Sequence, residues 1–389
     1  MKKAKRIETL PPYLFAEIDR RRREAVARGV DVISLGIGDP DLPTPDPVIE
    51  SLAREARDPT THRYPPYEGT AEFRRAVAHY YSTRFGVDLD PDKEVIALIG
   101  SKEGLSHLTW AVVDQGDAAL VSDPGYPVYG IHTLLAGGQV VPLPLLPERG
   151  FRPDLEAVKP EDRRRATVMF LCYPNNPTAG TADLDLFSEA VRYARENDIL
   201  LVHDSAYIEI TFDGYRAPSV LEVEGAKEVA VEFGSLSKPF NMTGWRLGYA
   251  VGSREAIAAL GVIKTNTDSG QFTAIQRAGA RILTDPGSDE FIARMRSVYQ
   301  RRRDLVVETL GRMGCRVTRP KGSFYIWAPV PSGHTSVSFA AHVLEKAGVI
   351  VAPGSAYGSR GEGHFRISLT VPDERLAEAL GRLEGCVSW

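Results

Sequence analysis

Lys238 sits in the segment GSLSKPFNMTGWRLGYA, just past a short apolar run. Ser235 and Ser237 precede it at alternate positions, and Arg246 follows within a Gly-flanked turn. Two hydroxyls, an arginine and backbone N–H groups make a phosphate site with an amine at its edge. A lysine amine beside a phosphate-bearing aldehyde is the arrangement that forms a Schiff base with pyridoxal phosphate. That chemistry calls for a carboxylate on the pyridine nitrogen and a hydrogen-bonding group on the ring's 3-oxygen. The segment ILLVHDSAY offers Asp204 at the end of an apolar run and Tyr207 just after it. Carboxylate–pyridinium attraction at ~4 Å and an effective dielectric of ~20 is on the order of 4 kcal/mol. That is enough to favour a protonated ring, which is the electron sink. Alone, Asp204 reads equally well as a helix N-cap.

Three further segments carry groups for the same pocket. CYPNNPTAG holds Asn176, whose side-chain amide can bond the 3-oxygen. SDPGYPVY holds Tyr126, an aromatic able to stack on a flat ring. GSKEGLSHL places Ser101 and Lys102 at a helix start, where free N–H groups favour a phosphate. Singly these are an Asn-Pro turn, core packing and an ordinary helix start. Their common position at the ends of apolar runs joins them.

Those runs are Val95–Ile99, Ala118–Val121, Thr167–Leu171, Ile199–Val202, Val229–Phe233 and Leu247–Val251. Continuous apolar character suits strands buried on both faces, alternating with helices in an α/β fold. Ligands of such sheets sit beyond the carboxyl ends of the strands. Residues 13–28 read as a charged helix whose Arg20–Arg23 run, interleaved with acids, forms a solvated face. From about residue 290 a long arginine-rich helix, Phe291 to Met313, precedes two β signals, CRVTRP and SFYIWAPV. Pro286 and Gly287 break the pattern, placing a domain boundary near 285. The expected division is a large domain over 46–285, with 1–45 and 286–389 forming a smaller α+β domain.

Composition narrows the class. The chain has 389 residues, 43% hydrophobic and 25% charged, ordinary values for a folded soluble protein. Forty-seven basic against 51 acidic residues give a formal charge of −4, without the basic surplus of a nucleic-acid binder. Cys172, Cys315 and Cys386 form no CxxC pair, which fits a reducing compartment and no disulfide scaffold. The lysines at the start are followed by no apolar stretch, so neither a signal peptide nor a membrane span is expected, and the expected location is cytoplasmic. GIGDPD lacks the third glycine of a dinucleotide fingerprint, and there is no GxSxG, HExxH or Walker lysine motif. No metal site is expected.

The motifs YPNNPT, DSAY, SLSK with MTGWRLG, and FRISL together resemble the class I/II pyridoxal-phosphate aminotransferases of fold type I, over nearly the whole chain. Within that family LPPYLFAEID, VISLGIGDPDLPTP, HRYPPYEGT, GSKEG and NTDSGQFTAIQ are similar to the LL-diaminopimelate aminotransferases. The resemblance implies a mostly parallel central sheet flanked by helices, with a smaller α+β domain. It implies that Lys238 forms the Schiff base, Asp204 pairs with the pyridine nitrogen, Asn176 and Tyr207 bond the 3-oxygen, and Tyr126 stacks on the ring. Ser101, Lys102, Ser235, Ser237 and Arg246 would surround the phosphate, joined by Tyr64 of the partner subunit, so a homodimer with shared sites follows. Arg366 and the Gly38 N–H would hold the substrate α-carboxylate, and Asn176 would also contact substrate. Tyr13, Lys102 and Asn266, the last from the partner subunit, would face the distal end.

The implied activity is ping-pong transamination between an amino acid and a 2-oxo acid, with diaminopimelate as the donor. An aspartate, alanine or broad-specificity aminotransferase, or a pyridoxal-phosphate carbon–sulfur lyase, would use the same cofactor groups. A pyridoxal-phosphate-binding transcription regulator would need a DNA-binding module ahead of the cofactor domain. The first 45 or so residues read instead as a helix and the GIGDPD loop.

Overall fold

The computed structural model describes residues 1–8, 10–11 and 14–389. A short strand, β1 (Ile33–Ser34), follows the charged helix Leu14–Ala27. Next come β2 (Val95–Leu98), β3 (Ala118–Asp123), β4 (Gln139–Pro144), β5 (Ala166–Cys172), β6 (Leu200–Asp204), β7 (Ala230–Ser235) and β8 (Gly248–Gly252). These seven form one sheet in the order β2-β8-β7-β6-β5-β3-β4. All neighbouring pairs are parallel except those of β8, which is antiparallel to both β2 and β7. Strands β2, β3 and β8 are buried at every position, and β5, β6 and β7 at all but one. Two-sided burial is why each apolar run maps onto a strand.

β4 was not anticipated. It lies at the sheet edge, its first, second and fourth residues are exposed, and it carries Pro142 and Pro144. Prolines argue against a central strand but are tolerated at an edge, where one side of the ladder is open.

The C-terminal part contains the long helix Ser288–Arg312, then β9 (Tyr325–Pro329), β10 (Val349–Ile350), β11 (Ala352–Pro353) and β12 (His364–Ser368). β12 lies between β11 and β9 in an antiparallel sheet, and β1 pairs in parallel with β10. The expected strand at CRVTRP is absent. Its two ends are tied to the preceding helix instead: Cys315 N–H donates to Leu310 O, and Arg303 Nη1 donates to Pro320 O at 2.8 Å.

The Arg20–Arg23 run lies along its helix as exposed pairs, Arg20 with Glu24 and Arg22 and Arg23 with Asp19. Such pairs contribute little to stability. No helix among the described residues is long and apolar enough to cross a membrane.

Candidate active site

The carboxyl ends of β5, β6 and β7 open on the same side as that of β2. Because β8 runs the other way, its entry end, with Arg246 and Leu247, lies there too. A cavity of about 290 Å³ fills this position, beyond the strand ends where an α/β sheet binds ligands. It is lined by Ser101 and Lys102 after β2, Cys172 at the end of β5 and Asn176 after it, and Asp204 at the end of β6 with Ala206 and Tyr207 after it. Ser235 ends β7, and Ser237, Lys238, Thr243 and Arg246 lie between β7 and β8, with Tyr126, Gly38 and Tyr325 completing the wall.

Lys238 Nζ donates to Gly38 O at 3.1 Å and lies 5.9 Å from the Phe324 ring centre. Burial pushes its pKa down to about 8; Arg246 and Arg366 add to the fall, whereas Asp39 and Asp204 oppose it. A lysine at this value is partly neutral near pH 8 and able to act as nucleophile and base.

Asp204 ends β6 in full burial. Its Oδ2 accepts from Tyr129 Oη at 2.8 Å, whereas its buried Oδ1 has no hydrogen-bond partner among the described residues. Burial raises its pKa, opposed by the Tyr129 hydrogen bond and the neighbouring His203. Tyr129 is stacked on Phe170, with ring centres 5.1 Å apart, which fixes its hydroxyl on the carboxylate.

Arg366 on β12 is fully buried. Its Nη1 donates to Asn176 Oδ1 at 2.7 Å, its Nη2 donates to Gly36 O at 2.8 Å, and its guanidinium lies 3.9 Å from the Tyr325 ring centre. The Tyr207 and Tyr325 hydroxyls are 3.1 Å apart. Burial raises both phenol pKa values, with Arg366 opposing the rise at Tyr325.

Gly100 has φ +80° and precedes the helix Ser101–Val112, whose first residues, Ser101 and Lys102, line the cavity. A Cβ at Gly100 would run into the Arg246 guanidinium, and one at Gly38 into the Tyr325 hydroxyl. Arg246 itself has φ +56° and donates from Nη1 to Thr243 O at 2.9 Å. Ser235 Oγ accepts from Ser237 N at 3.1 Å, fixing the turn that leads to Lys238. The residues present fit pyridoxal phosphate. An acceptor awaits a pyridinium at Asp204 Oδ1, hydroxyls and a helix start await a phosphate, and an amine stands between.

Glu103, His107 and Asp268 also converge, but Lys264 Nζ lies 3.4 Å from Glu103 Oε1 and 3.0 Å from Asp268 Oδ2. The cation of that cluster is the lysine's own ammonium. Glu103 Oε2 accepts from Ile99 N at 3.0 Å, so the cluster braces the start of the helix Ser101–Val112.

Three residues expected at the site do not line this cavity: Arg366, fully buried against Asn176 and Tyr325, and two exposed residues. Tyr64 is 87% exposed, and Asn266 is exposed with Nδ2 donating to Val262 O at 2.8 Å. Tyr13 lies outside the described residues. Tyr129, Tyr325, Cys172 and Thr243 belong to the site without having been singled out. Tyr129 was the most legible, since it shares the SDPGYPVY segment with Tyr126.

A family model for class I and II aminotransferases matches residues 30–383. An LL-diaminopimelate aminotransferase from Moorella thermoacetica is 57% identical over 383 residues, covering 98% of each chain. One from Desulforudis audaxviator is 56% identical over 384 residues, covering 99% of this chain and 97% of its own. A solved structure of a double mutant of Thermus thermophilus aspartate aminotransferase superposes with a TM-score of 0.93 at 32% identity, covering 100% of both chains.

Proposed function

The chain belongs to the class I and II aminotransferases and works with pyridoxal phosphate, and we propose that its substrates are LL-2,6-diaminopimelate and 2-oxoglutarate. The observation that carries this reading is the full-length identity of more than half to relatives bearing that activity in their names. In the biosynthetic direction the product would be LL-diaminopimelate, made from tetrahydrodipicolinate on the way to lysine.

Pyridoxal phosphate, when bound, supplies an electrophilic carbon for the amino group and an electron sink for the α-carbon. In our reading Asp204 Oδ1 takes the pyridine N–H, and Asn176 Nδ2 and the Tyr207 hydroxyl take the 3-oxygen. Ser101, Ser235, Ser237, Arg246 and the helix start receive the phosphate, and Tyr126 covers the ring. Arg366 holds the α-carboxylate with the Gly38 N–H. Lys238 Nζ removes the α-proton and returns it on the other side of the C–N bond; its lowered pKa favours the neutral amine this requires.

The distal ammonium–carboxylate head of diaminopimelate calls for polar groups away from Arg366. Lys102, which lines the cavity, is assigned that role, together with Tyr13 and Asn266 of the partner subunit. A homodimer with shared sites is part of the proposal, supported by the outward-facing Tyr64. So are the domain division at 45 and 285, supported by the pairing of β1 with β10, and a cytoplasmic location, supported by three free cysteines.

The test is a panel of amino donors with 2-oxoglutarate, repeated with Lys102→Met. We expect LL-diaminopimelate to be preferred over aspartate, alanine and aromatic donors. A charged hydrogen bond of about 1.5–3 kcal/mol predicts a loss of roughly 10–150-fold in kcat/KM for diaminopimelate in the variant. Alanine, if turned over, should lose much less. A wild-type preference for aspartate or alanine overturns the substrate assignment, and equal losses for all donors remove Lys102 from it.

A further inference from the structure

Directly before Asp204 on β6 stands His203, a fully buried histidine that the reaction does not touch. Alternation along the strand turns it to the opposite face of the sheet from Asp204. Its Nδ1 lies 2.8 Å from Glu232 Oε2, and its Nε2 lies 3.1 Å from the Tyr173 carbonyl oxygen. Both histidine and glutamate side chains are 0% exposed. The register places Glu232 on β7 beside His203 on β6, so the pair is built into adjacent central strands.

The hydrogen-bond inventory settles where the protons are. Glu232 Oε1 accepts from Tyr81 Oη at 2.6 Å, and Oε2 accepts from Ser219 Oγ and Val220 N, each at 2.9 Å. The Ser219 hydroxyl itself accepts from Leu221 N at 3.1 Å, so its own proton points to Glu232. A carboxyl surrounded by donors is an anion. The carbonyl of Tyr173 has no proton to give. Each nitrogen of His203 therefore faces an acceptor, and a neutral imidazole would place a lone pair against one of them.

We propose that His203 is an imidazolium held between Glu232 and the Tyr173 carbonyl, and that it acts as a positioning residue keeping Asp204 anionic for the cofactor. The result is an alternating row of buried charges across the sheet: Glu232 negative, His203 positive, Asp204 negative. The titratable groups around the imidazole are Glu232 on β7, Tyr173 after β5, Asp204 on its own strand, and Tyr81 from the helix Ala71–Phe85. Tyr249 on β8 stands behind Tyr81, and the helix Leu184–Glu196 presents the Phe187 ring, 4.7 Å away centre to centre. Glu232 is held below the usual carboxylate range: burial raises it, but His203, Tyr81 and the Val220 N–H outweigh that. The His203 charge also lowers the pKa of Asp204, against the burial that raises it. Without the imidazolium, Asp204 would more readily take up a proton and stop holding the pyridine N–H. The link to the cofactor rests on the assignment of Asp204 to the ring nitrogen; the protonation of His203 does not.

The first measurement uses the cofactor-free wild-type enzyme with ring-15N histidine, the His203 signals being assigned by their loss in His203→Gln. We expect both His203 nitrogens to carry protons at neutral pH, as two facing acceptors require. An unprotonated ring nitrogen at neutral pH overturns the proposal, with no reference to activity. The second uses Glu232→Gln, which keeps the shape and removes the anion. One of the two His203 ring protons should then be absent at neutral pH. In the cofactor-loaded variant kcat should fall roughly tenfold with little change in KM, as expected when Asp204 takes up a proton more readily. A folded variant with normal kcat overturns the support of Asp204. If the variant does not fold, the wild-type spectra alone decide.

Discussion

Arg366 Nη1 donates to Asn176 Oδ1 at 2.7 Å, joining the residue placed on the substrate carboxylate to the residue placed on the cofactor's 3-oxygen. Both are buried, and the amide orientation is fixed by the guanidinium. With Oδ1 engaged, Nδ2 is the group left to turn toward the ring. Under the proposed assignment, one side chain would align cofactor and substrate.

Asn176→Ala should therefore damage both functions at once. Loss of a charge-assisted hydrogen bond costs about 1.5–3 kcal/mol, so kcat/KM should fall roughly 10–150-fold for donor and acceptor alike. Cofactor affinity, measured by titrating the cofactor-free enzyme, should fall in the same variant. A change in KM for one substrate alone, with cofactor affinity intact, would separate the two roles.

Lys238 leads to a pH prediction. Its pKa is brought down to about 8, chiefly by burial, and only the neutral amine attacks an aldehyde. Capture of pyridoxal phosphate by the cofactor-free enzyme, followed by visible absorbance, should accelerate with a midpoint near pH 8 and then level off. An exposed lysine would keep accelerating toward about pH 10.4. Borohydride trapping should label Lys238, and Lys238→Ala should bind the cofactor yet retain no more than a trace of turnover.

Much of this site was legible because chemistry and topology coincide. Lys238, Asp204, Asn176 and Ser101 all follow apolar runs that two-sided burial had made conspicuous. What escaped notice depends on contacts distant in sequence: Tyr129 reaches Asp204 across 75 positions, and Tyr325 meets Tyr207 across 118. Neither tyrosine differs locally from a core aromatic. β4 was hidden by its prolines and exposed face, and CRVTRP imitated a strand although its two ends are tied to the adjoining helix. His203 and Glu232 did leave a trace, as ionisable residues inside apolar strands, since buried charges occur mainly where they are paired.

Asp204→Asn should trade activity for stability. Folding raises the Asp204 pKa through burial. A carboxyl shifted upward contributes stability below its unfolded-state pKa and loses it as pH rises through the folded value. At neutral pH the cofactor-free wild type thus bears the cost of a buried, half-satisfied anion, about 1–3 kcal/mol. The asparagine should relieve it, raising the Tm of the cofactor-free enzyme by roughly 1–4 °C at pH 7, with the gain vanishing in acid. Turnover should drop by about a thousandfold. A variant less stable than wild type at pH 7, or one with near-normal turnover, would show that Asp204 serves only as a local cap.

Tyr64 stands 87% exposed and outside the lining of its own chain's cavity. If each site borrows Tyr64 from the partner subunit, Tyr64→Phe should weaken phosphate binding, and a bulkier Tyr64→Trp should be inactive. Lys238→Ala and Tyr64→Trp then damage different halves of a composite site. In a mixed dimer one site receives both lesions and the other none. Random exchange makes half the dimers mixed, so about a quarter of wild-type activity should return on mixing two inactive proteins. Subunit exchange can be followed independently with differently tagged chains. Full exchange without recovered activity would place Tyr64 outside the partner's site and leave its exposure without a catalytic reason.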